Sequence, residues 1–231
     1  MPVLHHYPLS AGSRFVRLIF GEYTEIPTLT EEQPWERKEA LLKLNPAGAL
    51  PILVDDEQTI VCGASVIGEY LHETRGVRFG EITKLMPAGP SDRAEVRRLV
   101  EWFLGKMEVE VTGYLVTEKV HKRRMSISEG GGPPDAAAIR AARANIRYHL
   151  TYIGYLAARR NCLAGREISL ADLAAAAALS TIDYLGEVPW EEDATAKAWY
   201  ARMKSRPSFR PLLAEQVRGM PAATHYANLD F

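Results

Sequence analysis

Residues 45–62 read NPAGALPILVDDEQTIVC. The Asn45-Pro46 step predicts the end of a helix, because the residue before a proline disfavours helical backbone. Two apolar runs follow, at residues 51–54 and 59–62, and the acidic residues 55–57 separate them. Short apolar runs on either side of a polar turn are typical of a β-hairpin.

The sequence on both sides of this hairpin predicts further strands and helices. We expect a strand at Val3–Tyr7, a helix at Ser13–Glu22, a strand at Glu25–Thr30, a helix opening at Pro34–Arg37 and a helix from Ser65 to Gly76. This βαβαββα order predicts helices packed on a small four-stranded sheet. Residues 1 to about 78 should therefore form one α/β domain.

The rest of the chain has a helical pattern. Apolar residues recur at steps of three and four from Val96 onward, which indicates an amphipathic helix. The segment 130–134, GGGPP, interrupts the helices, and Asp135 should cap a long helix from Ala136 to Arg160. We expect an all-helical domain at residues 90–231, joined to the first domain by a linker at residues 76–89.

Residues 168–173, ISLADL, contain a capping box. The Ser169 hydroxyl can accept from the Asp172 N–H, and the Asp172 carboxylate can accept in return. This pattern predicts a structural cap for a buried helix, so we assign Ser169 and Asp172 no chemistry.

Composition excludes several classes of function. The 28 basic residues balance the 29 acidic ones, so the formal net charge of -1 favours neither nucleic acid nor an anionic membrane as partner. No apolar run approaches the ~20 residues of a membrane span, and the N-terminus lacks the pattern of a signal peptide. Two cysteines without CxxC spacing and six histidines without HxxxH spacing predict no metal site. We therefore expect a cytoplasmic protein.

Three stretches resemble cytosolic glutathione transferases: residues 7–17, residues 45–53 and the Ser169–Asp172 box. Their order along the chain is that of the family. The resemblance implies a thioredoxin-like N-terminal domain, an all-helical C-terminal domain and a homodimer in which the helix at Ser91–Arg124 supplies the seam.

The resemblance also implies roles for four residues, each with a simpler alternative. Pro51 would follow a cis bond that leaves the Leu50 backbone free to pair with glutathione, or it only starts a strand. Ser65 would hold the γ-glutamyl carboxylate, or it is an ordinary N-cap. Ser10 would stabilise the glutathione thiolate, or it only begins the first helix.

One position departs from the family pattern. Members usually carry Glu or Gln before the Ser65 position, where it binds the glutathione ammonium group, and here that residue is Ala64. Loss of one charge-assisted hydrogen bond costs roughly 1.5–3 kcal/mol. We expect weakened glutathione binding and no required cofactor.

Further stretches resemble one alphaproteobacterial branch of this family more closely: residues 34–37, 102–108 and 225–231. Proteins of that branch bind the tubulin-like division GTPase FtsZ. The resemblance implies a non-catalytic protein that binds FtsZ filaments and regulates cell division. The alternative is an enzyme that joins glutathione to hydrophobic electrophiles, with Ser10 as its catalytic residue.

Two segments are candidates for partner contact. Trp35, expected in the helix after the second strand, is either a core residue or an interface anchor. The C-terminal segment carries Tyr226, Leu229, Asp230 and Phe231, which either bind a partner or pack back on their own domain.

Overall fold

A mixed sheet of four short strands forms the first layer of the computed structural model, which describes residues 1–56, 58–76 and 85–231. The predicted boundary at residue 78, most of the predicted 76–89 linker and Glu57 of the predicted turn lie outside these ranges. The strands are β1 (Val3–His6), β2 (Thr28–Glu31), β3 (Ile52–Val54) and β4 (Ile60–Cys62). Their order is β2-β1-β3-β4, with β1 and β2 parallel and the other pairs antiparallel.

Three helices accompany this sheet: α1 (Ala11–Glu22), α2 (Glu39–Leu44) and α3 (Ala64–Arg75). Phe15, Leu18 and Ile19 of α1 are fully buried, as the apolar spacing predicts. Leu4 stands at the centre of the sheet, paired with Leu29 of β2 and Leu53 of β3. The βαβαββα order is confirmed.

The start predicted at Pro34 for the second helix is wrong. Residues 34–36 form a turn closed by a hydrogen bond from the Glu36 N–H to the Gln33 carbonyl at 3.1 Å. Arg37 then takes a positive φ of 46°, and α2 begins only at Glu39. Proline is favoured at the second position of such a turn as well as in a first helical turn. Trp35 therefore lies in a turn and not in a helix.

The second half of the chain is helical. Its elements are α4 (Pro90–Glu101), α5 (Gly113–Val116), α6 (Lys122–Arg124), α7 (Ala136–Arg159), α8 (Leu170–Tyr184), α9 (Ala194–Lys204) and α10 (Arg210–Leu213). Three π-helical segments join α4, α5 and α6 into continuous helix over residues 90–124: Trp102–Lys106, Glu108–Thr112 and Thr117–His121. The Asp135 side chain accepts from the N–H groups of Ala137 and Ala138, which confirms the predicted cap of α7. The fold class is an α/β domain followed by an all-helical one.

Helix α8 runs through the centre of the molecule, and all of its residues are buried. The capping box is confirmed, since the Asp172 carboxylate accepts from the Ser169 N–H at 3.1 Å and the Ser169 hydroxyl caps the first turn. Asp172 also accepts from the Leu163 N–H at 2.8 Å and from the indole N–H of Trp199 at 3.3 Å. One apolar core contains both Phe15 of α1 and Leu173 of α8, so the two halves share a core.

Candidate functional site

Ser10 is the N-cap of α1. Its hydroxyl oxygen accepts from the Ser13 N–H at 3.2 Å, and its backbone is extended as a cap requires. The interpretation that Ser10 begins the first helix is therefore confirmed. The hydroxyl keeps its own proton as a donor. The Ser10 hydroxyl can therefore cap α1 and donate a hydrogen bond to a thiolate at the same time.

Gly12 lies where three predicted site residues meet. A Cβ placed on Gly12 would stand 3.0 Å from the Ala64 Cβ, 3.3 Å from the Pro51 Cδ and 3.8 Å from the Ser10 hydroxyl oxygen. The Leu50–Pro51 peptide bond is cis, as predicted. The fold thus brings Ser10, Pro51 and Ala64 together from three separate segments, and the space at Gly12 suits glycine.

Ser65 is the second residue of α3, and its side chain is exposed. The interpretation of Ser65 as an N-cap is wrong, because Gly63 takes that position with a positive φ of 90° and no side chain to offer. The N-cap residue therefore supplies no side-chain acceptor to the first N–H groups of α3. Such a helix start can hold a carboxylate group.

These groups match glutathione only in part. The Ser10 hydroxyl suits the thiolate, and the start of α3 suits a carboxylate. Ala64 offers no charge to the ammonium group of the tripeptide. The site therefore offers a partner to the thiolate and to one carboxylate, and residue 64 offers none to the ammonium group.

Trp35 belongs to a second cluster of aromatic side chains beside the same domain boundary. Its ring centroid lies 4.9 Å from that of His121 and 6.0 Å from that of Tyr7. Burial and the Arg124 charge lower the pKa of His121 to about 4, and burial raises the pKa of Tyr7 to about 12. At neutral pH the cluster is therefore uncharged. Trp35 itself is half-buried, between the two predicted environments.

A cavity of about 760 Å³ opens beside Trp35. Its lining carries three cations, Arg123, Arg124 and Arg218, and two carboxylates, Glu31 and Glu36. Arg124 also donates to the Arg218 carbonyl, which ties the end of the 90–124 helix to the C-terminal segment. An aromatic face beside three guanidinium groups is suited to a surface that carries both apolar and acidic groups.

The C-terminal segment docks on its own chain at some residues and not at others. Tyr226 is 0% exposed, so its predicted role as a partner contact is wrong, and the alternative that it packs on its own domain is confirmed. Phe231 is half-buried and its ring lies 3.9 Å from the Lys204 Nζ. Leu229 is 42% exposed and Asp230 is exposed. Of the four predicted contact residues in this segment, Leu229 and Asp230 are the exposed ones.

Within the described ranges, no group of three or more His, Cys, Asp or Glu side chains is placed to bind a metal ion. No described helix is long and apolar enough to cross a membrane.

Sequence reasoning assigned no role to Tyr7, Arg14 or Lys204, and it treated His121 only as part of a basic helix end. The aromatic cluster joins residues from three distant segments, and Arg14 contacts residues more than 160 positions away. Their spacing along the chain contains no signal for these contacts. A linear clue to the cavity is the stretch at residues 119–124, KVHKRR, in which five of six side chains are Lys, His or Arg.

Two family models match the chain. The model described as "Glutathione S-transferase, N-terminal domain" matches residues 9–74, and "Glutathione S-transferase, C-terminal domain" matches residues 132–207.

Individual relatives cover the whole chain. FtsZ-localized protein A of Caulobacter vibrioides is 43% identical over 231 residues, 99% of this chain and 97% of that protein. The crystal structure of a glutathione S-transferase from Sinorhizobium meliloti superposes with a TM-score of 0.97 at 55% identity, over 100% of both chains. The structure of FzlA from C. crescentus superposes with a TM-score of 0.91 at 43% identity, over 100% of this chain and 99% of that one.

Proposed function

The chain belongs to the glutathione S-transferase family, and from this premise we propose that it binds FtsZ filaments and regulates bacterial cell division without catalysing glutathione transfer. The observation that carries the proposal is the 43% identity to FtsZ-localized protein A across 99% of the chain. The name of that relative associates it with FtsZ. Such a partner would place this protein in the cytoplasm at the division site.

Two surfaces are candidates for the filament contact. The first is the cavity beside Trp35, where the three cations Arg123, Arg124 and Arg218 outnumber the two carboxylates Glu31 and Glu36. The second is the exposed tip of the C-terminal segment, Leu229 and Asp230. Docked Phe231 holds that tip in a defined position, which lowers the entropy lost on binding.

Co-pelleting with FtsZ polymerised by GTP tests the proposal. The wild-type protein should sediment with filaments, and Trp35→Ala or Asp230→Lys should reduce the pelleted fraction at least tenfold. Glu167→Lys makes the same charge change at an exposed residue of the loop before α8 and should pellet normally. Wild-type protein that stays in the supernatant at saturating filament concentration would overturn the proposal.

We also infer a homodimer. Large apolar side chains are exposed on α3, on the 90–124 helix and on α7, which are neighbouring elements: Val66, Val109, Tyr114, Tyr148 and Tyr155. Exposed apolar groups of this number favour burial against a second surface. Two-fold closure would present each filament contact twice, so that a dimer could bridge two filament sites.

The second candidate function is transfer of glutathione to a hydrophobic electrophile. The position of Ser10 beside cis-Pro51 and the uncapped start of α3 supports it. Retention on immobilised glutathione separates the two functions. Strong retention, together with failure to co-pellet, would favour the enzyme.

A further inference from the structure

Arg14 of α1 is a buried cation, 0% exposed, and each of its three side-chain nitrogens donates a hydrogen bond. Nε donates to the Pro8 carbonyl at 2.7 Å. Nη1 donates to the Ser180 carbonyl at 2.8 Å and to the Tyr226 hydroxyl at 2.9 Å. Nη2 donates to the Glu215 carboxylate at 3.1 Å. One side chain therefore binds the loop before α1, helix α8 and the C-terminal segment.

The loop before α1 carries Ser10, and hydrogen bonds hold its backbone. The Ser10 N–H donates to the Tyr7 carbonyl at 3.0 Å, and the Tyr7 N–H donates to the Ser13 hydroxyl at 3.2 Å. The bond from Arg14 to Pro8 lies between these two. Movement of Arg14 would therefore be transmitted to this loop through the Pro8 carbonyl.

The C-terminal segment reaches Arg14 through a single side chain. The Tyr226 hydroxyl accepts from Arg14 and donates to the Leu212 carbonyl at 3.2 Å. If Tyr226 leaves, Nη1 loses one of three acceptors and keeps the carbonyl and the hydroxyl of Ser180, the latter at 3.1 Å. The guanidinium would then be free to shift toward Ser180, and its bond to the Pro8 carbonyl would shift with it.

We propose that Arg14 couples docking of the C-terminal segment to the conformation of the loop at Tyr7–Ser10. When the segment is docked, the loop is held. When Tyr226 undocks, the loop loosens and the position of Ser10 is no longer fixed. By linkage, loosening the loop weakens docking by the same free energy. The proposal concerns contacts within one chain and does not depend on FtsZ binding or on glutathione.

The segment has a second set of anchors that does not touch Arg14, and this set supplies a matched control. The Lys204 ammonium donates to the Asn228 carbonyl at 2.6 Å and contacts the Phe231 ring. Phe231 also packs edge-on against Trp190, with ring centroids 5.0 Å apart. Replacing Phe231 should free the chain end without disturbing the guanidinium.

Hydrogen–deuterium exchange measured by mass spectrometry tests the coupling in the full chain. Tyr226→Phe removes one hydroxyl and keeps the ring. We expect at least tenfold faster exchange in the peptide that contains the Tyr7, Ser10 and Arg14 amides, as well as in residues 224–231. Phe231→Ala should accelerate exchange in residues 227–231 only.

Ser13→Ala provides the reciprocal arm, because it removes the acceptor of the Tyr7 N–H. It should accelerate exchange at residues 224–231, which lie far from position 13 in sequence. If Tyr226→Phe changes exchange only in the C-terminal segment, or if Phe231→Ala loosens the loop equally, the proposed coupling is wrong. No change at residues 224–231 in Ser13→Ala would also contradict it.

Discussion

The Arg14 guanidinium donates a hydrogen bond of 2.9 Å to the hydroxyl of Tyr226, a residue 212 positions later in the chain. This bond joins the first helix of the α/β domain to the last residues of the helical one. Tyr226 is held further by an edge-on contact with Tyr184, with ring centroids 5.1 Å apart. The end of the chain is therefore part of the boundary between the two domains.

Arg14→Lys should destabilise the protein by about 2–5 kcal/mol. Lysine keeps the charge but cannot reproduce the planar fork, so two or more buried acceptors lose their donor at ~1–3 kcal/mol each. Urea denaturation with an unchanged m-value measures the loss. Arg97→Lys alters an exposed pair with Glu69 and should cost no more than about 1 kcal/mol. Equal losses in the two variants would contradict the assigned role of Arg14.

Asp172→Ala should cost more stability than Asp135→Ala, although both acids serve the start of a helix. Asp172 is 0% exposed, and its loss leaves the N–H groups of Leu163 and Ser169 unpaired, at ~1–3 kcal/mol each. Asp135 is exposed, so water replaces it and only about 1 kcal/mol is lost. Thermal unfolding of the two variants under one buffer compares them. A larger shift for Asp135→Ala would count against the buried network.

Stability should fall as pH decreases from about 6.5 to 4. Burial, together with Arg17 and Arg14, lowers the pKa of His6 to about 4 from its ordinary 6.5. Burial and Arg124 lower the pKa of His121 to about 4 as well. Within this window the unfolded state binds more protons than the folded state, so each histidine costs roughly 2–4 kcal/mol at the acid end. His6→Gln should flatten the profile, and adding His121→Gln should flatten it further.

Carboxylates change the folding stability at lower pH than the histidines do, so the two contributions can be measured separately. Hydrogen bonds from Arg75 hold the pKa of Asp55 well below its usual range, and bonds from Arg98 lower that of Glu95 to about 2. Their stabilising contribution is present above the ordinary carboxyl pKa and is lost as pH falls through these lowered values. An unchanged slope between pH 6.5 and 4 in the double histidine variant would refute the histidine assignment.

Turnover of a chlorinated aromatic substrate with glutathione should be weak in the wild-type protein. Ala64→Glu should raise glutathione affinity roughly tenfold or more, since a charge-assisted bond contributes about 1.5–3 kcal/mol. Calorimetric titration measures it, with Ala64→Leu as the uncharged control. Ser10→Ala should lower stability by about 0.5–2 kcal/mol whether or not glutathione binds, because it removes a helix cap. Robust wild-type turnover that Ser10→Ala abolishes would replace the non-catalytic proposal with the enzymatic one.

Light scattering should report twice the chain mass of 25.7 kDa at micromolar concentration. Val109→Lys and Tyr148→Lys place charges on the apolar surface of the 90–124 helix and α7 and should shift the mass toward the monomer. Ile127→Lys changes a residue that is 91% exposed outside that surface and should leave the mass unchanged. A wild-type mass near 26 kDa would rule out the seam inferred here.

Local signals in the sequence predicted local structure. The caps at Asp135 and Ser169 and the hairpin at residues 51–62 depend on motifs of a few residues, and the structure has all of them. The cis bond at Pro51 was implied by the family resemblance and is also present. The helix start predicted at Pro34 was wrong because proline is favoured both in a turn and in a first helical turn. The contacts of Trp35 with Tyr7 and His121, which join distant segments, favour the turn.

The prediction that Tyr226 contacts a partner was wrong for a different reason. Its environment is set by Arg14, Leu212 and Tyr184, which no spacing rule connects to the chain end. An apolar residue near a terminus looks the same in sequence whether it binds a partner or its own domain. The candidate sites formed by short motifs were therefore predictable, and those formed by distant side chains were not.

The helix over residues 90–124 contains three π-helical segments between residues 102 and 121. The number of residues in this helix, together with the kind of turn that holds them, determines the direction in which Arg123 and Arg124 point. An α-helix turns by about 100° per residue, and each π-helical turn accommodates an extra residue within one wider turn. Removing a single residue from any of these segments would let that turn tighten while the helix stays unbroken. Arg123 and Arg124 would then keep nearly their direction relative to Val96 and Leu99, because the residue removed was the extra one of a full turn. The same deletion within α4, where no wider turn absorbs it, would rotate the two arginines by about 100° and point the cavity rim elsewhere.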